Sequence, residues 1–273
     1  MPKAPVFRLA VLLLAGACHL PAATPPTAEA RPAEARYETG RRTRDGIGKY
    51  YFGREISQVM GHQGAGWLER PERELEERTD LLLDALKLRA GDAVADVGAG
   101  SGYFTWRMAK VVGPQGIVHA VEIQQIFLDL LMANMQRRGV ADRVRPILGT
   151  VQDPGLPEAS CDVILLVDVY HELDFPFEMA RAMVRALKPG GRLVLVEYRG
   201  EDPEVPIKPL HKMTEAQVRR EFSIQPVRFE RNIDVLPRQH ILVFRKDPLA
   251  ERRVDVSKAA ASATSVASTK PGG

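Results

Sequence analysis

Two cysteines among 273 residues, Cys18 and Cys161, are too few for a disulfide framework. Their settings also differ: Cys18 sits in a leader-like start, whereas Cys161 heads an apolar run and reads as a small packing residue. Charge of one sign is scarce too. A net charge of +3 does not mark a nucleic-acid binder. The one locally basic stretch, "RRTRDGIGKYYFGR" from Arg41 to Arg54, reads as a solvated face. No internal repeat is present, and no segment stands apart as a recognition domain for DNA, RNA or protein. Long apolar runs are missing as well: "LAVLLLAGA", Leu9 to Ala17, is too short to span a membrane as a helix.

That short run has the makings of an export leader. Lys3 and Arg8 supply a positive flank, and Ala15 and Ala17 supply the small residues a leader peptidase needs. Because Cys18 follows "LAGA", the leader also resembles a bacterial lipoprotein signal with Cys18 acylated, although Ala15 stands where leucine is usual. Simple secretion and lipid anchoring both stay open, as does a cytoplasmic location if the leader does not function. Residues 1–23 are thus expected to be a signal peptide and 24–44, rich in proline and alanine, a linker. Residues 45–80 should form an N-terminal helical segment, 81–247 the main domain and 248–273 a disordered tail.

Within the main domain, short β-branched runs alternate with helical patterns. "DAVADV", "GIVHAV", "RVRPIL", "DVILLV" and "GRLVLVEY" suit buried parallel strands. The clearest helix runs from Phe175 to Lys188, with Asp174 as the expected N-cap, Pro176 in the first turn and "KPGG" as the stop. Farther on, Thr214 and Gln217 form a capping box that opens another helix. "IQPVRFERNI" and "QHILVFRK" then follow without a long helix between them, which predicts an antiparallel pair closing the sheet. The expected architecture is α/β: a Rossmann-like, doubly wound, seven-stranded sheet with the last strand antiparallel and helices on both faces.

The turn after the first of these strands fixes the ligand class. In "VADVGAGSGYF" the glycines are Gly98, Gly100 and Gly102, whereas a dinucleotide fingerprint needs its third glycine or alanine where Tyr103 stands. A nicotinamide cofactor is therefore disfavoured. Asp96 precedes the turn; a carboxylate there repels a pyrophosphate and suits an ammonium. Glu122 ends the second strand, where its two oxygens can accept both hydroxyls of a ribose. An ammonium, a ribose and a close backbone turn between them describe S-adenosyl-L-methionine. The chain resembles the class I S-adenosylmethionine-dependent methyltransferases from about Leu81 to Phe244. The resemblance rests on "VADVGAGSGYFT", "VHAVEI", "DVILLVDVYHEL" and "LKPGGRLVLVEY" in that order. It implies that Asp96, Gly98, Ala99, Gly100 and Gly102 surround the methionine end, that Glu122 holds the ribose, that Ile123 packs on the adenine, and that Asp168 and Val169 lie at the centre. An acidic residue often follows the third strand in this family. This chain has "ILGTVQD" there, leaving Thr150, or Asp153 from farther along, for the adenine contact.

The acceptor is approached by elimination. No Asn/Asp-Pro-Pro-Tyr run follows the fourth strand, where the chain reads "DVYH", and cysteine-dependent chemistries have no suitably placed thiol. A small-molecule or lipid-like acceptor is left, with no nucleic acid and with membrane attachment only through the leader or Cys18. His171 is the first candidate for a base, since an ordinary imidazole titrates near neutrality. Tyr170 and Glu172 lie beside it, and His211 and Lys212 are candidates from the fifth-strand loop. No metal is expected, because "HELDF" does not complete H-E-x-x-H. For "MGHQGAGWLERPERE" the resemblance implies a lid, part of the helical segment 45–80, in which His62, Trp67 and Arg70 close the acceptor pocket; a loop joining two helices with Trp67 packed down is the equal alternative. The alternative to an enzyme is an exported, noncatalytic binding protein on the same fold.

Overall fold

The computed structural model describes residues 37–247. The leader, Cys18, most of the linker and the tail expected at the two ends lie outside the described residues. The described chain opens with β1 (Tyr37–Thr39), β2 (Gly46–Tyr51) and β3 (Arg54–Ser57), followed by α1 (Ala65–Leu68), α2 (Arg73–Glu77) and α3 (Thr79–Leu86). The main domain continues with β4 (Ala93–Val97), α4 (Thr105–Val112), β5 (Ile117–Glu122), α5 (Gln125–Arg137) and β6 (Val144–Leu148). After these come β7 (Cys161–Val167), α6 (Pro176–Ala186), β8 (Leu187–Arg199), β9 (Lys212–Met213), α7 (Glu215–Phe222), β10 (Val227–Ile233) and β11 (Gln239–Lys246).

The large sheet runs in the order β10-β11-β8-β7-β4-β5-β6, with the two-residue β9 beside β8. Strands β4 to β8 are mutually parallel, β11 is antiparallel to β8, and β10 is antiparallel to β11. This is the predicted doubly wound sheet, with β9 as an addition. Alternate residues feed two apolar layers, as the period of a strand demands. Val94, Val118, Leu165 and Val196 face α3, α4 and α5, whereas Ala95, Val121, Ile164 and Leu195 face α6 and α7. Cys161 is fully buried in the second layer.

Local signals act largely as expected. Thr214 Oγ1 accepts the Gln217 amide at 3.1 Å and starts α7, with Met213 and Val218 buried beneath it. Pro176 occupies the first turn of α6, where its missing N–H costs nothing. Asp174, however, does not cap that helix: Phe175 holds the cap position and no side chain bonds there.

The N-terminal segment is the main correction to the architecture. In place of a helical lid over 45–80, the chain forms a three-stranded antiparallel sheet and then short helices. Tyr51 pairs with Arg54 across a two-residue turn in which Phe52 and Gly53 both have positive φ, 50° and 82°. That geometry matches the right-handed twist of a hairpin. Nor is 24–44 linker throughout: Tyr37 lies in β1, and its hydroxyl donates to Glu178 Oε2 at 2.5 Å and accepts the Phe177 amide at 3.1 Å. No helix among the described residues is long and apolar enough to cross a membrane.

Candidate active site

A cavity of about 730 Å³ opens at the carboxyl ends of β4, β5, β7 and β8, where ligands bind in open α/β sheets. One end is built from backbone. Gly98 and Gly100 follow β4 with φ of +74° and +53°. A Cβ on Gly98 would stand 2.5 Å from Val169 Cγ2, and one on Gly100 would stand 2.6 Å from Leu68 Cδ1. Glycine at these positions is therefore a condition for the turn and for the space beside it.

Glu122 ends β5 and lines the cavity. Its Oε1 accepts the amides of Ile123 (2.7 Å) and Gln124 (3.1 Å), and its Oε2 accepts the Gly100 amide at 3.1 Å. The carboxylate thus ties the glycine turn to the next strand while presenting its remaining lone pairs to the cavity. Burial raises its pKa against the pull of those amides.

Asp168 follows β7 in a left-handed conformation, φ 54°, and lines the same wall. Gln239 Nε2 donates to its Oδ2 at 2.7 Å, but Oδ1 is buried with no hydrogen-bond partner. Burial, then the neighbouring Glu77 and Glu197, push its pKa well above the carboxylate range. A buried acceptor left unpaired next to other carboxylates is costly, and a cation in the cavity would relieve both costs.

Several expected contacts fall elsewhere. Asp96, only 4% exposed, does not line the cavity; it accepts the Thr105 hydroxyl at 2.6 Å, and burial lifts its pKa to about 6. Its side chain lies on the Val94 face of β4, toward α4, while Val97 points to the cavity. Asp168 holds the free carboxylate oxygen in its place. Ala99 is packed in the first apolar layer, and Gly102 lies against Leu131 and Met135 of α5. Thr150 closes its own turn, its Oγ1 accepting the Gln152 and Asp153 amides, and does not line the cavity. Ile123 and Val169 do line it.

The opposite end of the cavity gathers distant segments. His171 is 2% exposed; its Nδ1 lies 2.6 Å from Glu197 Oε2, and its Nε2 lies 3.1 Å from His211 Nδ1. Glu172 Oε1 is 3.7 Å from His171 Nε2 and 3.8 Å from His211 Nδ1. Burial opposes protonation of His171, but the negative charges and hydrogen bonds of Glu197 and Glu172 outweigh it and raise the pKa to about 10. Those two carboxylates thus favour a positive charge on or beside the His171 ring. His211 has its pKa lowered by burial and by His171. Tyr170 leaves the site: it is 1% exposed, does not line the cavity and packs on Phe222 with ring centroids 5.1 Å apart.

The N-terminal hairpin fastens this end. Arg54 Nη1 and Ser57 Oγ donate to the His171 carbonyl at 3.1 and 3.3 Å, and the Met60 amide donates to Glu172 Oε2 at 2.9 Å. Trp67, 50% exposed, lines the mouth. Arg70 does not line the cavity; its guanidinium stacks 3.6 Å from the Trp67 ring centroid and pairs with Glu77 at 2.6 Å. His62 is exposed and also off the cavity, its amide bonded to Gln124 Oε1 at 3.2 Å. Lys212 turns away too, its Nζ donating to the Asp202 carbonyl at 2.9 Å. Arg73 and Glu77, which the sequence did not single out, form a buried pair at 2.9 Å on the cavity wall. Their spacing of four on one helix was the available signal.

Strand order, a reversed strand beside β8, a glycine turn after β4 and carboxylates at the ends of β5 and β7 define the class I S-adenosylmethionine-dependent methyltransferase fold. Residues 95–195 match the family model described as a methyltransferase domain. The ubiquinone/menaquinone biosynthesis C-methyltransferase UbiE of Ectopseudomonas mendocina is 30% identical over 111 residues, 41% of this chain and 43% of that protein. The Pseudomonas putida protein of the same description is 28% identical over 141 residues, 51% of this chain and 52% of its own length. The chain thus spans about half the length of the curated relatives it matches. Among solved structures, a SAM-dependent methyltransferase from Aquifex aeolicus superposes with a TM-score of 0.64 at 21% identity, covering 68% of this chain and 99% of that one. The [4+2]-cyclase SpnF superposes at 0.55 with 18% identity, covering 62% and 80%. Residues 95–195 thus match a methyltransferase domain, and the fold around them is the one seen in S-adenosylmethionine-dependent methyltransferases.

Proposed function

We propose that this protein transfers a methyl group from S-adenosylmethionine to a small-molecule or lipid-like acceptor. The observation that carries the reading is the unpaired Asp168 Oδ1 in the wall of a cavity that continues past the cofactor end. The residues suit the cofactor: Asp168 would accept its ammonium, Glu122 its ribose hydroxyls, and the bare faces of Gly98 and Gly100 would admit its close approach. When bound, it supplies a methyl group already activated on a sulfonium.

What remains for the chain is positioning and exclusion of water. Val59, Met60, Leu173 and Ile207 give the far end of the cavity apolar walls, and His171, Glu172 and His211 give it a polar floor. An acceptor with an apolar body and one polar head fits that lining. The C-methyltransferase relatives lend support to a ring acceptor of quinone-like character. Export belongs to the same proposal, supported by Lys3, Arg8 and the apolar run before Cys18; cell fractionation with the leader intact or deleted tests it.

Incubation with methyl-labelled S-adenosylmethionine and a panel of small hydroxyl, amine and quinone-like compounds tests the activity. Acceptor-dependent labelled product and release of demethylated cofactor are expected. Cofactor binding without turnover across lipid and small-molecule extracts would favour a noncatalytic binding protein on this fold.

A further inference from the structure

His171 and His211 are 40 residues apart and come from different loops, yet their ring nitrogens meet at 3.1 Å beside a carboxylate oxygen of Glu172. All three donor atoms lie within 4.8 Å of one another, and all three residues line the cavity. Two ligands each about 2.1 Å from a metal ion, at angles of roughly 95° to 130°, are themselves separated by about 3.1 to 3.8 Å. The observed separations of 3.1, 3.7 and 3.8 Å span that range. We propose that His171 Nε2, His211 Nδ1 and Glu172 Oε1 bind one divalent transition-metal ion, of the zinc, iron or manganese kind, at the acceptor end of the cavity.

The surroundings of the three ligands support the assignment. A metal-bound imidazole characteristically gives its other N–H to a carboxylate, which fixes ring and tautomer. His171 has that arrangement, Nδ1 to Glu197 Oε2 at 2.6 Å, and Glu197 is itself held by the Tyr170 amide at 2.9 Å. Glu172 is oriented through its other oxygen by the Met60 amide, which leaves Oε1 toward the two imidazoles. The turn bearing His211 is tied to the hairpin by a salt bridge from Lys208 to Asp45 at 2.6 Å. Glu172 and Glu197 bring two carboxylates to within 3.7 and 2.6 Å of the His171 ring, a charge that a bound cation offsets. Two imidazoles and one carboxylate leave coordination positions open, as in sites where a metal meets a substrate. Those positions face the cavity, so an oxygen of the acceptor is the ligand the site would take. The site itself does not depend on the methyltransferase reading, because it can be measured with neither cofactor nor acceptor.

The test uses the untagged full chain, stripped with a chelator and titrated calorimetrically with zinc ions, with cobalt ions as a spectroscopic probe. One zinc per chain at micromolar affinity or tighter is expected, together with a visible cobalt absorption band. His211→Ala, in a half-buried loop residue, should keep the fold and weaken zinc binding by about 100-fold or more; Glu172→Gln should weaken it by about 10-fold or more. Absence of stoichiometric binding would overturn the site. So would one equivalent of zinc bound equally well by wild type and both variants, with the variants' unfolding temperatures confirming that they are folded.

Discussion

The two ends of the cavity are built on different plans. The cofactor end comes from short, contiguous pieces: a glycine turn leaving β4, Glu122 closing β5 and Asp168 just past β7. Its contacts are largely backbone, as in the three amides on Glu122. The acceptor end is assembled from the hairpin at 46–57, the segment at 59–68, the turn at 170–172 and the loop at 206–211, and a side chain takes part in each of the contacts that hold it. A site made of strand ends and glycines survives exchange of everything around it, while one made of converging loops can change its guest. Among the solved structures the same fold occurs in proteins described as a methyltransferase and a cyclase.

The comparison breaks most readily at the cofactor end. Gly98→Val should abolish S-adenosylmethionine binding in calorimetry, because φ of +74° and the overlap with Val169 leave no room for a side chain. Micromolar affinity in that variant would show that the turn does not set the pocket. At the acceptor end the two histidines should part company. His171→Ala leaves the buried Glu197 without the imidazole that faces its charge and should cost about 3 to 5 kcal/mol in urea unfolding. His211→Ala, with its side chain 25% exposed, should cost less than about 1 kcal/mol. Equal losses would mean that the cluster acts as one structural unit.

Asp96 sharpens the contrast through pH. Its folded pKa of about 6 lies above the ordinary value of 3.8, so the folded state holds the proton more tightly than the unfolded chain. The stability this confers is fully present below about pH 4 and is lost as pH rises through about 6, on the order of 3 kcal/mol in all. Subtracting the unfolding profile of Asp96→Asn from that of the wild type between pH 4 and 7 should reveal that slope, and a flat difference would contradict it. The smallest effect is expected at Trp67. Trp67→Ala should raise the acceptor KM by only about 2- to 10-fold and leave kcat unchanged, since the half-exposed ring covers the mouth and stacks on Arg70.

What could be read from the sequence follows the same division. The sheet, the glycine turn and the placement of Glu122 and Asp168 at the carboxyl ends of their strands were legible because each is set by a strand's period and the few residues after it. Asp96 misled because the argument used its position along β4 and ignored its face: neighbours on a strand point oppositely, and Asp96 shares the side of Val94. Tyr170 and His171 part in the same way within one tight turn, one going into the core against Phe222 and the other toward the cavity. The meeting of His171 with His211 had no local signature, because it depends on the path of a loop across the sheet edge. The hairpin was concealed by an expectation of helix, although Gly53 between β-forming residues marks a place where the chain can turn.

Binding of the cofactor at Asp168 tests the account most directly. Titration of S-adenosylmethionine, and separately of NAD, into the purified protein should show one site of micromolar affinity for the former and none for the latter. Asp168→Ala should weaken binding by about 10- to 100-fold, the value of one charge-assisted hydrogen bond. Undiminished affinity in Asp168→Ala, or no binding of S-adenosylmethionine to the wild type, would contradict the account.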